Sequence, residues 1–75
     1  MSSHTTERLI YMANQIAAAF RTNREALAVA ATRDHIAKFW DPRMRTLIAS
    51  HMAAGGEDLT PIARAAIASL EHDQS

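Results

Sequence analysis

The sequence predicts an all-α protein, a small compact bundle of four short helices. Three observations predict it. Large apolar side chains recur at three- and four-residue steps, the period of a helix face. The pairs Asp41-Pro42 and Thr60-Pro61 and the doublet Gly55-Gly56 stand where helices start and stop. Alternation at period two is absent, and no Asn-Gly or Asp-Gly turn separates two apolar runs, so nothing argues for strands.

The elements follow in order. Met1 to His4 reads as a polar, frayed tail. Thr5 or Thr6 is the expected cap of a first helix over 5–20, with Glu7 in its opening turn, where the positive end of the helix dipole favours a carboxylate. Leu9, Met12, Ala13, Ile16 and Phe20 form its apolar face, and Asn14 and Gln15 lie mid-helix. Arg21 to Arg24 is a polar break in which Thr22 or Asn23 can cap a second helix over 24–40. Val29, Ile36, Phe39 and Trp40 are its larger apolar positions, and Asp34 stands four residues before Lys38, a favourable spacing for an ion pair.

Asp41-Pro42 ends that helix and begins the next. Pro42 forces the residue before it out of the α region, has no N–H to lose at a first helical position, and leaves Asp41 free to cap. The third helix, 42–54, carries Met44, Leu47, Ile48 and Met52 on one stripe. Gly55-Gly56 stops it, since glycine takes the left-handed conformation without a Cβ penalty. Thr60-Pro61 repeats the cap-then-proline start, with Leu59 placed to clamp on Ala63 or the Arg64 stem. Ile62, Ala65 or Ala66, Ile67 and Leu70 give the fourth helix, 60–71, its stripe. The 75 residues thus read as one helical domain, 1–75, with polar tails at about 1–4 and 72–75.

Composition narrows the function. A chain of 75 residues buries only about 60–65% of the surface its unfolded form exposes. Much of its apolar content is alanine, which lets helices approach closely but buries little area per residue. That thin core favours docking on a partner and leaves self-association open for the isolated chain. Formal net charge is +0, so no global field recruits nucleic acid or an anionic membrane. Residues 32–52 hold four basic side chains against two acidic, while residues 53–75 hold one arginine against four acids. With no cysteine the chain has no disulfide and no thiolate ligand, which fits a reducing cytoplasm. No apolar run approaches the 18 residues of a membrane span, and the amino terminus lacks a basic-then-apolar signal.

Catalytic and metal chemistry find little here. His35 and His51 belong to no His-x-x-x-His pair and have no ligand partner at helical spacing, and His4 and His72 sit in the tails. Ser50 and His51 are neighbours and point apart on a helix. Gly55-Gly56 precedes Glu57-Asp58, an exposed acidic turn, and lacks the Lys and Ser/Thr of a phosphate loop. Neither a catalytic residue nor a bound cofactor or metal is expected.

The stretch Phe39-Trp40-Asp41-Pro42-Arg43-Met44-Arg45 stands apart, with the chain's single Trp and its tightest knot of arginine. Arg43 and Arg45 lie two residues apart and diverge by about 200° on a helix, so one is expected to pair inside the domain with Asp41 or Glu57-Asp58 and the other to reach a partner carboxylate. Trp and Arg are the side chains that most often anchor interfaces.

At this point the sequence resembles a known family. The run His35-Ile36-x-x-Phe39-Trp40-Asp41-Pro42-Arg43-Met44-Arg45 is similar to a signature of the small delta subunit of NAD-dependent, molybdenum-containing formate dehydrogenases. Two further stretches carry the resemblance: Arg8-Leu9-x-x-Met12-Ala13-Asn14-Gln15-Ile16-Ala17 and Gly55-Gly56-x-x-Leu59-x-Pro61-x-Ala63. In that family the large subunits hold the molybdenum cofactor, iron–sulfur clusters, flavin and NAD site. The resemblance implies a cytoplasmic, non-catalytic accessory subunit or assembly factor that docks on those large catalytic subunits. It supports reading Asn14 and Gln15 as a pair that faces the partner, against the alternative of an exposed polar face. With them Trp40, Asp41, Arg43 and Arg45 complete the expected partner-binding set, the alternative being Trp40 in the core and both arginines solvated. The alternatives from the residues alone are a small helix-turn-helix DNA binder, which zero net charge argues against, and a helical homo-oligomer.

Overall fold

The computed structural model describes the backbone of residues 3–73 and the side chains of residues 5–70. It contains α1 (Ser3–Ala19), α2 (Glu25–Phe39), α3 (Pro42–Ala53) and α4 (Pro61–Asp73), and no strand among the described residues. The all-α, four-helix expectation holds, with each boundary within about two residues, the usual uncertainty of helix ends.

Two starts differ from their sequence reading. The chain is already helical at Ser3, so Thr5 and Thr6 lie inside α1 and do not cap it. At α2 the N-cap is Arg24, in an extended conformation and without a side-chain cap bond. The Thr22 hydroxyl is spent one step earlier: the Arg24 N–H donates to Thr22 Oγ1 at 2.9 Å, closing a tight turn before the helix begins.

The other punctuation works as the residue chemistry dictates. The Met44 N–H donates to Asp41 Oδ1 at 2.9 Å, with Pro42 in the first position of α3. At the far end, the Gly56 N–H reaches His51 O at 2.9 Å and the Gly55 N–H reaches Met52 O at 3.1 Å, the paired bonds of a Schellman stop. The Thr60 hydroxyl caps α4 loosely, accepting from the Ala63 N–H at 3.4 Å.

One core cluster draws on every helix: Leu9, Ala13 and Ala17 from α1, Ile36 and Trp40 from the α2 end, Ile48 from α3, and Leu59, Ala63, Ile67 and Leu70 from the last loop and α4. Leu59 shares this cluster with Ala63, as a staple would. The most extensive helix pair is α2 with α4, whereas α2 and α3, neighbours in sequence, touch least. Asp41-Pro42 therefore makes a true corner, and α3 leaves α2 behind to pack on α4 and α1.

In α2 the buried stripe is Ala28, Thr32 and Ile36, continued by Trp40. Thr32 is 0% exposed, and its hydroxyl donates to Ala28 O at 2.8 Å, which is how a polar side chain is accommodated there. Phe39 falls off that stripe and is 70% exposed, against 4% for Trp40. Phe39, read from sequence as one of the larger apolar positions of α2, is therefore a surface residue. Asp34 does not bridge to Lys38; its Oδ1 pairs with Arg33 Nη2 at 3.0 Å, one residue away.

Candidate docking surfaces

The six residues expected to meet a partner divide by the element that holds each. Trp40 ends α2 with its ring in the core, so it fixes the corner from inside. Asp41 is exposed, and its carboxylate is committed to the start of α3. Arg43 is exposed. Arg45 is half-buried, and its Nε is shut off from solvent without any hydrogen bond.

The expectation that one arginine pairs with Asp41 or Glu57-Asp58 is not met. Among the described residues neither arginine forms an ion pair: Asp41 is turned to the backbone, and Glu57 and Asp58 lie beyond the opposite end of α3. Both arginines also occupy the first turn of α3, which contains no acidic residue. That is the positive end of the helix dipole, where a cation is locally unfavourable and an anion welcome.

Asn14 and Gln15 part company. Asn14 is half-buried and spans to the α3–α4 loop: its Nδ2 donates to Asp58 O and its Oδ1 accepts from the Thr60 N–H, both at 2.9 Å. The backbone partners fix the amide orientation, because a carbonyl only accepts and an N–H only donates. The amide of Asn14 is thus occupied within the chain. Gln15 is exposed and donates from Nε2 to the Tyr11 hydroxyl at 2.6 Å, one turn back.

Two residues of this loop brace have a role that the sequence reading did not assign to them. Arg64 donates from Nη1 to Gly55 O at 3.0 Å and from Nη2 to Gly56 O at 2.9 Å, a fork closed on two carbonyls. The His51 Nε2–H donates to Glu57 O at 2.6 Å, which sets its tautomer. Gly56 is buried at φ +65°, and a Cβ there would lie 3.0 Å from both Arg64 Nη1 and Met52 Sδ. The only signal in the sequence was the glycine doublet; nothing in it tells which side chains return to the freed carbonyls. The braced loop carries Glu57 and Asp58 at the surface, with Asp58 at φ 71°, a left-handed conformation that Asp tolerates better than most residues.

Two further surface features draw mostly on residues outside the expected set. The His35 imidazole lies between two phenyl rings, with centroids 5.8 Å from Phe20 and 4.7 Å from Phe39. Leu27, two turns earlier on the same row of α2, is 55% exposed, so an apolar ridge runs along that helix. Between α3 and α4 lies a groove of about 400 Å³ lined by apolar and small side chains, with Arg45 at one end.

No group of three His, Cys, Asp or Glu residues suited to a metal ion exists among the described residues. His51 is held by the loop and Ser50 is exposed beside it, so they form no catalytic pair. His4 and His72 have side chains outside the described residues. No described helix is long and apolar enough to cross a membrane.

Fold and surface together define a small helical protein whose placed polar side chains cap its helices and brace its own loop, with arginines left over at the α2–α3 corner. The sequence profile of the NADH-dependent formate dehydrogenase delta subunit family, FdsD, matches residues 8–67, and the chain belongs to that family. No curated protein and no solved structure matches it at a significant level.

Proposed function

We propose that this chain is a non-catalytic accessory subunit or assembly factor of a cytoplasmic formate dehydrogenase. It binds no cofactor of its own and acts by docking on the large catalytic subunits through the start of α3. Family membership supplies the setting. The observation that carries the docking reading is the pair Arg43 and Arg45, two cations without counter-ions in the first turn of a helix. Local physics disfavours them there, and side chains that break a local rule without a compensating contact mark functional positions. Trp40 and Asp41 hold the corner that presents them, and Gln15 adds an exposed amide on α1.

The test replaces Arg43 and Arg45 together with Glu. The substitution reverses local charge and leaves Asp41-Pro42 in place. Glu near a helix N-terminus is favourable, so circular dichroism should show an intact helical fold. A carboxylate on the partner would then meet like charge, at a loss of several kcal/mol of affinity. The expected result is a folded double variant that no longer co-purifies with the large subunits, and lower formate-dependent NAD reduction per large subunit. Undiminished association and activity would remove the arginines from the docking surface.

A further inference from the structure

We infer that the α3–α4 groove receives a helix of a large formate dehydrogenase subunit, and that this helix bears a carboxylate opposite Arg45. The inference rests on the docking reading above and assigns the surface and the chemistry of the occupant. The groove follows the outward face of α3 from Pro42 to Ala53, 12 residues, or roughly 17 Å at the helical rise, enough for three turns of an opposing helix. Ala49 and Ala53 form one wall above a floor of the core residues Ile67 and Leu70, and these small side chains of the wall let an opposing backbone come close.

Charge selects the occupant. α3 contains two arginines and no acidic residue, and Arg45 lines the groove near the positive end of the helix. Its Nε–H is already dry and unpaired in the free chain. An arriving carboxylate that draws the guanidinium along the groove satisfies that donor and adds a bidentate, charge-assisted pair. Thr46 and Ser50, exposed hydroxyls one turn apart on the same face, give the rim polar contacts without adding charge. A second copy of this chain also carries exposed acids on a helix, Glu25 and Asp34 on α2 beside Leu27 and Phe39, so family membership is what favours the large subunit, and crosslinks between copies are the competing outcome.

The experiment uses the full-length chain expressed with the intact enzyme. A photo-crosslinking amino acid replaces Ser50, and Ala53→Trp, Arg45→Gln and the control Lys38→Glu are assayed by co-purification, with circular dichroism as the check on folding. Ala53 and Ser50 are exposed, so both substitutions leave the core untouched. The proposal expects the crosslink to land on a large-subunit helix containing Asp or Glu. It also expects at least tenfold weaker retention for Ala53→Trp and for Arg45→Gln, and no change for Lys38→Glu. If wild type co-purifies and Ala53→Trp is retained equally, the groove assignment fails while docking stands. If Arg45→Gln alone is retained equally, or the crosslinked segment has no acidic residue, the carboxylate is refuted. Crosslinks between two copies of this chain overturn the proposal in favour of self-association. Should wild type itself fail to associate with the enzyme, the docking reading falls and this inference with it.

Discussion

Replacing Asn14 with Ala should destabilise the fold through a loop more than forty residues away. Two hydrogen bonds of 2.9 Å are lost, one from Nδ2 to Asp58 O and one from the Thr60 N–H to Oδ1. Each contributes about 0.5–1.5 kcal/mol net, and the stranded loop groups are only partly able to recruit water. Alanine is the better helix former and returns up to roughly 0.6 kcal/mol. The hydrogen-bond loss wins, leaving a net cost of about 1–2 kcal/mol. For a domain of this size that lowers the melting temperature by roughly 4–16 °C. The control is one residue away: Gln15→Ala removes a single exposed bond to Tyr11 and should stay within about 0.5 kcal/mol of wild type. Thermal melts of the two variants give the comparison, and amide hydrogen exchange localises it, because the Thr60 N–H should lose protection only in Asn14→Ala. If Asn14→Ala melts with Gln15→Ala and keeps Thr60 protected, the bracket does not hold the loop. Asn14→Ala folding normally and losing only its hold on the enzyme would return this residue to the docking surface.

Trp40→Ala should cost about 3–5 kcal/mol, enough to unfold much of a domain this small, whereas Phe39→Ala should move the melting point by less than about 1 kcal/mol worth; equal effects would contradict their opposite burial. Gly56→Ala should destabilise by about 1–3 kcal/mol, through the positive φ and through displacement of Arg64 from the loop carbonyls, and a melt matching wild type would show that the loop relaxes freely. Thr32→Val should cost under about 1 kcal/mol, because the lost hydroxyl leaves Ala28 O its helical partner and the shape is kept; a larger loss by chemical denaturation would assign that hydroxyl a greater part in the core.

The delta-subunit family is legible in the chain because its motifs sit on structural punctuation, and punctuation is local. Asp41-Pro42, Gly55-Gly56 and Thr60-Pro61 act on backbone groups within one turn, so helix number, order and approximate ends follow from the sequence alone. The cap of α2 was misread for an equally local reason, since the Thr22 hydroxyl is engaged with the Arg24 backbone in the preceding turn and caps nothing in the helix.

Facing is not local, and tertiary packing decided it. Residues 26–31 of α2 are apolar all round, so periodicity cannot choose a face; contact with α4 selected Ala28, Thr32, Ile36 and Trp40 and left Leu27 and Phe39 outside. Phe39 and Trp40 differ by about 100° around one helix, which is the difference between surface and core. The same holds for polar side chains. Nothing near Asn14 or Arg64 in sequence names a partner, because each satisfies a loop carbonyl that exists only once α1, α3 and α4 have met. The sequence by itself determined where the helices run and which family they serve. The assembled bundle decided which side chains brace it and which, Arg43 and Arg45 above all, remain uncommitted, since a hydrogen bond's worth depends on neighbours that only the packed chain brings together.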